Sequence, residues 1–274
     1  MIHNKIEIKA PGMDATGYLY TYFLDSSIEM RPDEKRPVIL MCPGGGYEMT
    51  SDREAEPVAM RFLAMGYHVA ILRYSVSPVR YPAALLQVAG SVLYLKKHAE
   101  EYHIDPEKIV VQGCSAGGHL AADYGVSWHQ KWIADAMATT SEQLKIAGLL
   151  LCYPVITSRE KAHEGSFRNL LGDACEEKKA ELSLENQVTE QTPPTFLWHT
   201  ATDDTVPVEN SLYFFQACLE HGVSAELHIY PVGGHGLSLA NEETCRANGI
   251  GVQKECQSWI SLAQTWLEEI LIKN

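Results

Sequence analysis

Apolar positions along the chain fall into short uninterrupted runs separated by longer stretches with helical spacing. The runs at 38–41, 69–73, 109–111, 146–155, 195–199 and 225–230 read as strands, several of them apolar enough to be covered on both faces. Residues 17–24 alternate in aromatic side chains and read as an early edge strand, followed by a charged connection at 26–35. Between the runs lie the helices. Residues 52–65 begin with Asp52 at the N-cap position and Pro57 early, and Gly66 follows the end. Residues 82–102 trace one face with Leu85, Val88, Ala89, Val92 and Leu95. Helices are also expected after Ser115, at 208–221, and at 253–272, where Trp259, Leu262, Ala263, Trp266, Leu267 and Ile270 share a stripe. This alternation predicts an α/β fold: a mostly parallel sheet, right-handed crossovers, helices on both faces, and reactive groups at the strands' carboxyl ends. It breaks at 156–194, a charged stretch expected to be a small cap-like insertion over that edge.

With 274 residues, 46% of them hydrophobic, the chain can bury one large core, so a single domain over 1–274 is expected. A net charge of −13 and no run of Lys or Arg argue against nucleic acid or an anionic membrane as partners. The first residues lack a basic segment followed by an apolar one, and no stretch approaches the ~20 apolar residues of a membrane span. The expectation is a cytoplasmic protein, with homo-oligomers left open. Seven scattered cysteines without C-x-x-C spacing suggest neither a disulfide framework nor a zinc site, and no metal or organic cofactor is implied.

Candidate chemistry centres on 108–122, KIVVQGCSAGGHLAA, where a β-branched run enters Gly113-Cys114-Ser115-Ala116-Gly117 and a small-residue helix follows. A serine on so sharp a turn takes strained backbone angles, and glycines two residues to either side avoid collision with neighbouring elements. Its hydroxyl is then raised above the sheet edge, and the N–H of Ala116, in the first helical turn, is free to stabilise negative charge. Upstream, Cys42-Pro43-Gly44-Gly45-Gly46-Tyr47 follows a buried strand, and its glycines can turn backbone N–H groups toward the same space. Serine needs a base, and the base an orienting acid. Of eleven histidines, only His235 sits in a glycine-flanked loop after the last strand; Asp203 or Asp204 lies in the loop after the preceding strand. The order Ser, Asp, His is that of an α/β-hydrolase.

Taken together, CPGGGY, GCSAGGHLA, HTATDDTVPVENS and GGHGLSLA resemble the small intracellular α/β-hydrolases grouped with acetyl xylan esterases and related carbohydrate esterases, near the arylformamidase and hormone-sensitive-lipase branches. The resemblance runs from about Arg36 to the C-terminus. It implies Ser115 as nucleophile, His235 as base, and N–H donors from Gly45, Gly46 and Ala116. Family members place the acid three residues before the Val of Val-Pro, which implies Asp203 over Asp204. Many relatives carry His-Gly-Gly-Gly where this chain has Pro43, which puts a lipase-like acyl preference in doubt. The implied activity is hydrolysis of short-chain, notably acetyl, esters of a small molecule or oligosaccharide such as a xylo-oligosaccharide. Tyr47 is a candidate for lining the acyl pocket. The alternatives are amide hydrolysis of the arylformamidase type and, in a different class, a non-catalytic binding protein on a hydrolase scaffold.

Overall fold

The computed structural model describes residues 1–30 and 32–272. Residue 31 of the charged connection and residues 273–274 at the end of the expected domain lie outside the described residues. Eight strands form one sheet: β1 (Lys5–Lys9), β2 (Thr16–Tyr22), β3 (Arg36–Cys42), β4 (His68–Arg73), β5 (Ile104–Cys114), β6 (Gly148–Cys152), β7 (Thr195–Thr200) and β8 (Ala225–Tyr230). Their spatial order is β1-β2-β4-β3-β5-β6-β7-β8. From β4 to β8 every pairing is parallel, whereas β1 to β2 and β2 to β4 are antiparallel.

Alternate residues of each central strand face opposite layers, as the two-residue pleat requires. Val38, Leu40, Ala70 and Leu72 point into one core, and Ile39, Met41, Val69 and Ile71 into the other. The first core is closed by α2 (Ala83–Lys97), α3 (Ser115–Ser127) and, farther along the sheet, α8 (Glu209–Glu220). The second is closed by α1 (Glu56–Ala64) and α9 (Trp259–Ile272), through Val58, Phe62, Trp259 and Trp266. Shorter helices complete the chain. α4 (Lys131–Ala136) and α5 (Ser141–Leu144) follow α3; α6 (Glu164–Leu171) and α7 (Cys175–Lys178) lie between β6 and β7.

Several boundaries differ from the sequence reading. Residues 17–24 do not form an edge strand: β2 lies between β1 and β4, and β1 is the edge. The KIEIK segment of β1 offers only two apolar residues, so it is held by pairing along β2 rather than by an obvious pattern of its own. The long helix stops at Lys97, and the chain reaches β5 through His103 in the left-handed region, φ 53°. The run at 146–155 yields a strand only over Gly148–Cys152, because Tyr153 turns at φ 37° ahead of Pro154. At the C-terminus, 254–258 forms a 3-10 turn before the helix begins at Trp259.

Candidate active site

The turn between β5 and α3 sets the centre of the site. Ser115 has φ 54°, a left-handed angle that a non-glycine residue holds only under constraint from its surroundings. The flanking glycines are sterically required. A Cβ on Gly113 would stand 2.1 Å from the Gly117 carbonyl oxygen, and one on Gly117 would stand 2.0 Å from that of Cys42. The Ser115 turn is thus wedged against the end of β3, where the glycine-rich loop begins.

Loops from β7 and β8 bring the other two groups over it. Ser115 Oγ lies 2.7 Å from His235 Nε2, and His235 Nδ1 lies 2.7 Å from Asp203 Oδ2. With Nδ1–H donating to a carboxylate, Nε2 is the lone-pair nitrogen and accepts the hydrogen bond of the Ser115 hydroxyl. Asp203 Oδ1 accepts the N–H groups of Thr205 and Val206, so the acid is fixed by its own loop. His199, on β7, stands 3.3 Å from Asp203 Oδ2 through its Nε2. Burial pushes the Asp203 carboxyl up, but hydrogen bonds from His199 and His235 and the N–H of Val206 outweigh it and hold the acid well below the usual carboxylate range. Asp203 is therefore a permanent anion beneath the imidazole. Asp204 is exposed and, among the described residues, accepts only a long contact from Thr205 Oγ1. Thr202 ties the two loops together: its Oγ1 accepts the Gly233 N–H and donates to the Gly233 carbonyl, both at 2.9 Å.

The glycine loop supplies donors beside the serine. Gly44 N–H is engaged by Glu54 Oε2 at 2.8 Å. Gly45 and Gly46 line the same cleft as Ser115 and His235, and among the described residues their N–H groups donate to no acceptor. Ala116 lies in the first turn of α3, where N–H groups lack an intrahelical acceptor. The loop is held from two sides. Asn169, on α6, donates to the Gly46 carbonyl at 2.9 Å, and Glu54 grips Gly44 from beneath. Tyr47 is packed in the core: it is 2% exposed, its hydroxyl donates to His119 Nδ1 at 2.9 Å, and its ring meets Tyr74 edge-on. Tyr47 is not among the residues that line the cleft with Ser115.

Residues that the sequence reading passed over surround this core. Glu54 is buried, and its second oxygen accepts the Tyr153 hydroxyl at 2.8 Å. That hydroxyl accepts the Ser238 N–H at 2.9 Å, and the Tyr153 ring lies edge-on to His235 at 5.3 Å. One carboxylate thus joins the glycine loop, the end of β6 and the histidine loop. Tyr153 follows directly on a strand's carboxyl end, a position that could have marked it. His163 caps α6 and lines the cleft; burial and the neighbouring His235 lower its pKa against the opposing pull of Asp203. Arg53 and Arg246 also line the cleft, whose volume is about 250 Å³. Neither carries a sequence motif.

Such an arrangement can take a proton from a hydroxyl, hold an oxyanion on backbone N–H groups and return the proton to a leaving group. Residues 24–218 match the BD-FAE family model, a stretch that contains Gly45, Gly46, Ser115, Ala116 and Asp203 but ends before His235. Among curated proteins, endo-1,4-beta-xylanase B of Butyrivibrio fibrisolvens is 36% identical over 220 residues, 77% of this chain and 34% of that protein. The chain spans between about a third and about half of the length of the curated relatives it matches. Among solved structures, an acetyl ester-xyloside bifunctional hydrolase from Caldicellulosiruptor lactoaceticus is 38% identical with a TM-score of 0.81, covering 94% of this chain and 89% of that one. A carboxylesterase from Lactobacillus plantarum WCFS1 is 30% identical with a TM-score of 0.87, covering 98% of both chains.

Proposed function

Because the chain belongs to the BD-FAE family and has the α/β-hydrolase fold, we propose that it is a serine esterase that removes short acyl groups, acetyl foremost, from a carbohydrate or small-molecule ester. The observation that carries this reading is the relay of two 2.7 Å contacts from Ser115 through His235 to Asp203. Ser115 Oγ attacks the ester carbonyl carbon while His235 Nε2 takes its proton. The C=O electrons move onto oxygen, where the N–H groups of Gly45, Gly46 and Ala116 stabilise them. Collapse of this intermediate breaks the bond to the alcohol, which leaves with the proton from His235. Water then enters by the same route in reverse and frees the acid and Ser115. Throughout, the Asp203 anion favours the imidazolium that forms in each transition state.

Acetyl as the acyl group is supported by the name of the Caldicellulosiruptor relative and by the modest volume of the cleft. A xylan-derived sugar as the alcohol is supported by the same name and by that of the Butyrivibrio xylanase. We read residues 156–194 as a small cap on a single hydrolase domain, since Asn169 and His163 reach the glycine loop and the cleft from it. Among the described residues no helix is long and apolar enough to cross a membrane. Seven unpaired cysteines, six of them buried, support a reducing compartment, the cytoplasm.

Replacing Ser115 with Ala is expected to lower turnover of 4-nitrophenyl acetate by on the order of several powers of ten with an unchanged melting temperature. Near-full activity in that variant would exclude the mechanism. Reaction of the unmodified protein with a fluorophosphonate at Ser115 separates an active hydrolase from a binding protein on the same scaffold. Turnover of acetylated xylo-oligosaccharides against an N-formyl aryl amide separates ester from amide preference.

A further inference from the structure

The cleft is lined by two arginines in a chain whose net charge is −13. Arg53 and Arg246 line the hollow that holds Ser115 and His235, and both also line a second hollow of about 530 Å³ that continues past His235 toward residues 249–253. Both arginines thus border both spaces. Among the described residues neither forms an ion pair with a carboxylate. The obvious candidates for pairing are engaged elsewhere: Glu54 holds Gly44 and Tyr153, and Asp52 pairs with Arg73. Asp204, an exposed carboxylate, lines the outer hollow and among the described residues forms no ion pair with either arginine.

Arg53 is held in place for this position. Its Nε donates to the Thr244 carbonyl at 2.6 Å, which leaves Nη2 buried and without a hydrogen-bond partner. A Cβ on Gly251, at φ 110°, would stand 3.3 Å from that Nη2, so the outer loop closes tightly over the guanidinium. That Nη2 is sealed from the cleft, so a ligand would meet Arg53 through Nη1, which among the described residues donates to no acceptor. Arg246 is exposed on the turn closed by the Gly249 N–H to Arg246 carbonyl bond, and offers a second cation on the same side. Carboxylates share these spaces, Glu54 in the inner hollow and Asp204 in the outer one, but Glu54 is buried and bound to Gly44 and Tyr153.

We propose that the cleft selects esters bearing a carboxylate, which Arg53 and Arg246 bind as the scissile carbonyl meets Ser115. The inference rests on the esterase reading above and deepens it by naming a substrate class. The carboxylate belongs either to the acyl group, as in a half-ester of a dicarboxylic acid, or to the alcohol, as in a uronic acid or hydroxy acid. Arginine suits both, through paired N–H donors matched to two carboxylate oxygens.

The test measures kcat/KM in two arms. The acyl arm compares 4-nitrophenyl hemisuccinate with 4-nitrophenyl butyrate, and the alcohol arm compares 4-acetoxybenzoate with its methyl ester. Each arm gives an anionic-to-neutral ratio, and comparing variants with the unmodified protein cancels the intrinsic reactivities of the esters. In the arm that matches the natural substrate, Arg246→Gln and Arg53→Gln are expected to lower the ratio about tenfold each, with Arg53→Lys retaining part of it. Raising NaCl from 0.05 to 0.5 M should lower it further in the unmodified protein. Should Arg53→Gln fail to fold, the exposed Arg246 decides the matter. A ratio that neither arginine changes in either arm overturns this inference and leaves the esterase reading standing. No hydrolysis of any of the four esters removes both.

Discussion

Asp203 and Asp123 show how far burial and partners can send two carboxyls in opposite directions. Asp203 gains donors from two histidines and its own loop and stays ionised despite its burial. Asp123, on α3 two turns beyond Ser115, is 4% exposed, and burial alone raises its pKa to about 7. Its carboxylate faces a hollow of about 510 Å³ lined by Tyr81, Gln130 and Trp132. The consequence for stability follows from proton counts. Below about pH 4 the acid is neutral in both folded and unfolded chains, and no penalty applies. Between about 4 and 7 the unfolded chain has released the proton that the folded one retains, so stability falls as pH rises; above 7 the loss is constant. Asp123→Asn is therefore expected to gain stability over the unmodified protein by about 1–3 kcal/mol at pH 8 and close to nothing at pH 4. Urea unfolding at the two pH values measures the difference.

At the scale of elements, the site is a convergence of strand ends held in register by Glu54. This residue sits in the short 3-10 turn Asp52–Glu54 ahead of α1, and a side chain on Gly44 would come within 2.6 Å of its Oε2. Its loss frees the glycine loop from below and unpairs Tyr153, whose ring borders His235. Glu54→Ala is expected to lower kcat for 4-nitrophenyl acetate by about 10- to 100-fold with a smaller change in KM, since donors displaced from the developing oxyanion weaken the transition state more than the ground state. Glu54→Gln should recover part of that loss, because an amide oxygen can still accept one of the two hydrogen bonds. Steady-state kinetics beside thermal melts separate this positioning effect from simple unfolding.

Across the whole molecule, α9 connects the far end of the chain to the histidine loop. Trp259 is stacked on Trp198 at 5.3 Å, and its indole N–H donates to the Ser238 carbonyl at 2.9 Å, three residues past His235. The C-terminal helix therefore serves both as the lid of one core and as a support beneath the site. Trp259→Ala should cost about 3–5 kcal/mol of stability. Trp259→Phe should cost about 1 kcal/mol, the net worth of the hydrogen bond with most of the packing kept. Chemical denaturation of the two variants distinguishes packing from hydrogen bonding.

The alternation of strands and helices, the sharp turn at Ser115 and the glycine-bounded His235 were legible in the chain itself, because pleat, helical period and near-neighbour sterics act over a few residues. Even there local pattern had limits. The edge strand β1 escaped notice because its stability comes from β2, and the run at 146–155 was shortened by a turn at Tyr153 that hydropathy does not encode. Composition marked neither Glu54 nor the arginines. Their roles come from partners far along the chain: Glu54 meets Tyr153 across 99 residues, and Arg53 meets Thr244 across 191. Distances between His235 and Ser115, 120 residues apart, likewise depend on how the sheet twists and where the loops land. Sequence determined which elements form and which residues carry reactive chemistry. Only the tertiary structure decided which of those residues share one small volume, because that is a property of packing among distant segments and not of any segment alone.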